Sequence, residues 1–173
     1  MATYCNPSAF YLLRHLMKLF EPDSKLKIRA QMIWFFLWLG VTCVGLFLKQ
    51  DPHLHGTHQQ LGLPPCPSVL LFNRPCPGCG LTTSWTALLH LDFVTSWRAH
   101  PLGIPMYLGF TFVALGCLYG NIKGLRMLID SNWANMAFVT FVVIFFIYGA
   151  ARMAMTTNYQ TQKEQIWSSA LRR

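Results

Sequence analysis

Apolar residues fall in three long blocks separated by polar segments, and this pattern sets the expected architecture. From Ala30 to Leu48, 19 residues carry no charge, between Lys25, Lys27 and Arg29 on one side and Lys49 on the other. At ~1.5 Å per residue the block is roughly 28 Å long, close to the thickness of a bilayer's hydrocarbon core. A second uncharged block runs over 101–122 and is closed by Lys123 and Arg126; a third covers 133–151 and ends at Arg152. Each predicts a transmembrane helix. The short connection between the last two predicts an antiparallel hairpin.

Residues 7–21 follow another rhythm. Phe10, Leu13, Leu16, Met17 and Phe20 repeat at helical spacing, with Arg14, His15 and Lys18 on the opposite side. This predicts a basic amphipathic helix lying in the membrane surface or packed on a partner subunit. The charges interrupt the first apolar stretch, so no secretory signal is expected. In the second block, Gly109, Gly116 and Gly120 mark a face for close helix packing, the last pair forming a small-x-x-x-small step that Gly124 continues. The expected fold is therefore an all-α integral membrane protein, read as one membrane domain over 1–173. Its parts are a surface helix, one span, an extramembrane loop over 49–100, a two-span hairpin and a polar tail over 152–173.

Composition agrees: 53% of residues are hydrophobic and only 12% charged. The net charge of +8 would suggest nucleic acid in a soluble protein. Here the cations flank apolar blocks, where they orient the chain and meet anionic lipid, and no basic stripe is interleaved with an aromatic platform. Nucleic acid is thus excluded, and membrane lipid is the expected partner. Five basic residues precede the first span, and Lys123 and Arg126 sit in the hairpin connection. Counting positive charges places the N-terminus in the cytoplasm and the 49–100 loop in the periplasm. Arg152, Lys163, Arg172 and Arg173 would then lie outside, against that rule.

The candidate chemistry lies in the loop. Six cysteines occur, at 5, 43, 66, 76, 79 and 117. Cys43 and Cys117 fall inside apolar blocks and read as small hydrophobes; Cys5 has no neighbour in sequence. Cys66, Cys76 and Cys79 form the one cluster. His53, His55 and His58 precede it, and five prolines between Pro64 and Pro77 leave little scope for regular structure. After Cys76-Pro77-Gly78-Cys79-Gly80, a short helix is expected to start at Thr82 or Thr83, lined on one side by Trp85, Leu88, Leu89 and Trp97. Asp92 and Arg98 resist burial in lipid, so this helix should be interfacial or covered by protein. His90 and His100 flank it and could contact a headgroup or a ligand.

The string Cys-Pro-Gly-Cys-Gly-Leu-Thr, a short helix and a following His-Pro before a span resemble an uncharacterised bacterial family of small membrane proteins, domain of unknown function 2752. Its pattern, Cys-Pro-x-Cys-Gly-x-Thr-Arg and later Asn-Pro, maps onto Cys76, Pro77, Cys79, Gly80 and Thr82. The chain departs at Thr83, where the family usually has Arg, and at His100, where it has Asn. The resemblance runs from about Cys66 to Tyr107. It implies a bacterial inner-membrane protein and supplies no activity.

Four readings of the cysteines stay open. Cys-Pro-x-Cys-Gly has the form of a zinc knuckle, and Cys66 with one of His53, His55 or His58 would complete a Cys3His set, zinc ahead of iron or copper by ligand type. A Cys-x-x-Cys before a helix N-terminus also suits a thiol-disulfide pair, Cys76 and Cys79, although no second pair exists for relay. A Cys76–Cys79 disulfide could simply hold the loop. An independent enzyme or transporter is disfavoured, because the spans contain no Asp, Glu, Lys or Arg and no nucleophile–base spacing or phosphate loop appears. The combined expectation is a non-catalytic accessory or assembly subunit of a larger membrane complex, its loop fixed by metal or disulfide. A membrane redox protein and a metal-binding membrane protein are the alternatives.

Overall fold

The computed structural model describes residues 20–129 and 132–171. In chain order these are β1 (Phe20–Pro22), α1 (Lys25–Ala30), α2 (Met32–Phe47), a 3-10 turn (Thr57–Leu61), α3 (Pro67–Phe72), α4 (Leu81–Leu89), α5 (Phe93–Ala99), α6 (Gly103–Lys123), β2 (Leu125–Met127), α7 (Asn132–Met155) and α8 (Gln162–Leu171). Among the described residues the fold is all-α apart from one two-stranded ribbon. Three stretches of them are long and apolar enough to cross a membrane: Lys25–Phe47, Gly103–Lys123 and Asn132–Met155. The shortest, 21 residues, measures roughly 32 Å. Large apolar side chains stand exposed along them, including Phe36, Leu37, Leu108, Phe112, Phe138 and Ile147, as lipid contact requires. The amphipathic helix expected over 7–21 lies outside the described residues, except that Phe20 and Glu21 belong to strand β1.

By its internal contacts the chain divides into two units. The first comprises Met1–Gly40 and Gly109–Ala137. Here β1 pairs antiparallel with β2, Phe20 opposite Met127 and Pro22 opposite Leu125. Gly116 and Gly120 of α6 admit this returning strand: a Cβ on Gly116 would lie 2.5 Å from the Met127 sulfur, and one on Gly120 would lie 2.6 Å from the Leu125 carbonyl oxygen. Gly109 faces open space. Gln31, at the break between α1 and α2, pairs its amide with both backbone groups of Met127, at 2.7 and 3.0 Å.

The second unit comprises Val41–Leu108 and Phe138–Arg173. Its centre is the α4–α5 hairpin, two helices where the sequence suggested one. Leu91, at φ 62°, turns the chain, and Asp92 caps α5 by accepting from the Thr95 amide at 3.0 Å. The hairpin packs tightly because its contact positions are small: Ser84, Ala87, Ser96 and Ala99 are fully buried, and the Ser84 and Ser96 hydroxyls are 3.0 Å apart. The proline-rich stretch contains a helix after all, because Pro67 falls at the first turn of α3, where its missing amide costs nothing. The tail is ordered too. Gln160 donates to the carbonyls of Val69 and Leu70 at the end of α3, and its amide donates to the Asn73 side chain at 2.8 Å.

Candidate metal centre

Three sulfurs from three points of the loop meet in the second unit. The Sγ atoms of Cys66, Cys76 and Cys79 all lie within 4.8 Å of one another. Cys66 immediately precedes α3, and Cys76 and Cys79 bracket the Pro77-Gly78 turn, closed by the Cys79 amide donating to the Cys76 carbonyl at 3.0 Å. The Cys76 amide in turn donates to the Cys79 sulfur at 3.2 Å. The Cys76 and Cys79 sulfurs are 3.3 Å apart.

The turn is possible because of two neighbours. Gly80 has φ +86°, and a Cβ on it would stand 2.5 Å from the Ala99 carbonyl oxygen and 3.0 Å from that of Leu54. Helix α4 starts at Leu81, with Gly80 as an uncapped left-handed entry, so neither Thr82 nor Thr83 caps it. Thr83 is buried instead, its hydroxyl 2.8 Å from that of Thr57. Behind the turn lies one face of α7: Phe145, Tyr148, Gly149 and Arg152, spaced as successive helical turns demand. Phe145 stacks on His100, Tyr148 meets its edge, and Gly149 leaves room for Pro77. Arg152 donates to the Cys79 carbonyl at 2.8 Å and to the Tyr159 hydroxyl at 3.2 Å. His100 is fully buried and donates from Nε2 to the Pro77 carbonyl at 3.0 Å, which leaves Nδ1 unprotonated and without a described partner.

The thiols share their protons unequally. The Cys66 thiol is pulled down to about 2, foremost by Cys76 and Cys79 hydrogen-bonding to its sulfur and then by the Val69 and Ser68 amides. The same interaction with Cys66 pushes Cys76 up, and with Cys66 and Cys76 it pushes Cys79 far up. Of the three sulfurs, Cys66 is the first to lose its proton, and Cys76 and Cys79 remain as donors to it. A tetrahedral zinc with Zn–S bonds of about 2.3 Å sets sulfurs about 3.8 Å apart. The three sulfurs are therefore near the right spacing, with Cys76 and Cys79 needing to separate by about half an ångström. The donor set fits a thiophilic ion.

The histidines are placed very differently from one another. A cavity of about 240 Å³ is lined by all three cysteines and by His55, His58, Gly78, Thr82, Thr83 and Glu164 among others. His55 is committed elsewhere: Nδ1 donates to the His53 carbonyl at 2.9 Å, and Nε2 donates to Glu164 Oε2 at 3.2 Å. With an acceptor at each nitrogen the ring carries both protons, which leaves no lone pair for a metal. Burial, the largest single influence, opposes that charge, but the Glu164 bond, the His53 carbonyl and the Glu164 and Asp51 charges together outweigh it and raise His55. His53 is exposed and holds Asp51 through Nδ1 at 3.0 Å. His58 is half-buried in the cavity wall, and no described residue holds its ring. His90 is exposed and bonds the Leu48 carbonyl at 3.1 Å.

Glu164 is 1% exposed and accepts from His55, from Gln59 at 3.0 Å, and from the Thr161 amide and hydroxyl. Burial alone would raise it; these donors, His55 foremost, hold it at about 2. Sequence reading overlooked Glu164, although Thr161-Gln162-Lys163-Glu164 is a capping box that announces the start of α8. It also overlooked Arg152 and Tyr159, for which only the structure supplies a signal.

Residues 66–114 match the model of a protein family described as protein of unknown function (DUF2752). No curated protein and no solved structure matches the chain. The matched segment runs from Cys66 through the knuckle and the α4–α5 hairpin into α6, so the cysteine centre is built almost wholly from the part of the chain that is similar to this family.

Proposed function

We propose that this membrane protein holds a single thiophilic ion, zinc by ligand type, between Cys66, Cys76 and Cys79, with His58 as the fourth ligand. The observation that carries the reading is the convergence of three sulfurs, separated by up to thirteen residues of chain, to within 4.8 Å. His58 lines the same cavity with its ring uncommitted, but it lies outside the group of ligand atoms within 4.8 Å of one another and has to move inward to ligate. The role is structural: the ion ties α3 to the knuckle, and with it the surface formed by α4, α5 and the tail. The protein would act without catalysis, as an accessory or assembly subunit of a larger complex in the bacterial inner membrane, its N-terminus cytoplasmic and the cysteine loop periplasmic. In support, the three apolar blocks are charge-free, and the five cations before the first span together with Lys123 and Arg126 favour that orientation, although Arg152 and the tail cations oppose it. The test is elemental analysis of the purified chain, with one ion per protein expected and loss of it in Cys66→Ser and Cys79→Ser. Co-purification from gently solubilised membranes tests the assembly role; a chain that runs alone contradicts it.

One observation favours a second reading. The 3.3 Å separation of the Cys76 and Cys79 sulfurs suits a dithiol that closes to a disulfide, releasing two protons and two electrons to an oxidant such as a quinone. It predicts two reductant-sensitive thiols and no bound ion.

A further inference from the structure

The first unit contains a cavity of about 300 Å³ lined by Lys27, Ala30, Gln31, Trp34, Arg126 and Ile129. It shares no residue with the cysteine centre. Its wall is fixed, because the Gln31 amide is tied to Met127 by two hydrogen bonds and Met127 is in register with Phe20 across the ribbon. One side is cationic. Lys27 Nζ and Arg126 Nη1 lie 3.4 and 3.2 Å from the same oxygen of Asp23, so two cations converge on one point. The other side, Ala30, Trp34 and Ile129, is apolar. Trp34 is partly exposed and lies where the charges of α1 give way to the uncharged residues of α2. Leu26 and Ile33 are exposed beside it, as lipid-facing side chains are.

We propose that this cavity binds the headgroup of one anionic phospholipid. Its phosphodiester is held by Lys27 and Arg126, and its glyceride end lies against Ala30, Trp34 and Ile129. The apolar wall selects an amphiphile over a free phosphate, which would gain nothing from Trp34 and Ile129. Position agrees, since the cavity begins where hydrocarbon meets headgroups along the first span. Asp23 occupies the anion's place when the lipid is absent and swings aside when it binds.

The test uses the full chain in neutral detergent, stripped of lipid and titrated with short-chain phosphatidylglycerol or phosphatidylcholine, bound lipid being counted by native mass spectrometry. Phosphatidylglycerol should bind once and saturably, and phosphatidylcholine at least tenfold more weakly. A cation at the membrane surface contributes about 1 kcal/mol, so Lys27→Gln and Arg126→Gln should each weaken phosphatidylglycerol about fivefold. Lys123→Gln, a cation outside the cavity wall, should leave binding unchanged. Asp23→Asn should tighten it, a gain that misfolding cannot produce. Equal binding of both lipids, indifference to Lys27→Gln, or displacement of the lipid by equimolar inorganic phosphate would overturn the assignment.

Discussion

Pro77, between the two cysteines of the knuckle, sits in the notch that Gly149 leaves on helix α7. A Cβ on Gly149 would run into both the Cα and the Cβ of Pro77. The cysteine turn is thus seated directly on the third span. Gly149→Ala should push the turn away and lower stability by about 1–3 kcal/mol, the usual cost of overpacking a tight contact. Thermal unfolding in detergent measures the loss, and metal retention should fall with it. Gly40→Ala, where nothing lies within 4 Å, is the control and should change neither.

Two glycines of the motif separate by geometry. Gly80→Ala forces a Cβ into the Ala99 carbonyl at a left-handed φ, whereas Gly78 has open space around it. The first substitution should cost more than the roughly 1–2 kcal/mol of backbone strain alone, and the second much less. Equal stability of the two variants would contradict the turn as described.

The buried His55–Glu164 pair gives a pH signature. Glu164 is held at about 2, below the ordinary 4.5, so its contribution is full above about pH 4.5 and is lost as pH falls toward 2. His55 is raised above 6.5, so its contribution is full below that value and is lost as pH rises through its elevated folded value. The pair therefore stabilises most between about pH 4.5 and 6.5. Glu164→Gln should lower stability by about 3–5 kcal/mol in that window, with a smaller penalty on either side. Unfolding temperatures of both proteins between pH 3 and 9 measure it, and a penalty independent of pH would contradict the charged pair.

The spans and the site were legible in the sequence to different depths. Long charge-free blocks are a strong signal, because in lipid every backbone group must be paired and only a helix of about that length does so. The clustering of Cys66 with Cys76 and Cys79 followed from cysteine spacing. The rest was hidden for physical reasons. Helices α4 and α5 are short and meet through Ser84, Ala87, Ser96 and Ala99, small residues that leave no hydrophobic period to read. Phe145, Tyr148 and Gly149 form a packing face, yet they look like any other lipid-facing residues of an apolar helix. His53, His55 and His58 are equivalent in sequence; only their different partners, Asp51, Glu164 and the cavity, tell them apart.

His100 links the start of α6 to the knuckle through the Pro77 carbonyl. His100→Ala should leave that carbonyl and the stacking face of Phe145 empty, lowering stability by about 2 kcal/mol or more. His100→Asn keeps an amide donor and should recover part of the loss. Identical unfolding temperatures for the Ala and Asn variants would show that the hydrogen bond contributes nothing.

The central claim concerns the ion between Cys66, Cys76 and Cys79, and one measurement meets it directly. Metal content and free thiols are determined on the same sample of detergent-purified native protein, the thiols under denaturing conditions. The predicted result is one zinc per chain with all three cysteines reduced, and no zinc in Cys79→Ser. No metal, with two thiols missing until reductant is added, would contradict the claim and leave the Cys76–Cys79 disulfide in its place.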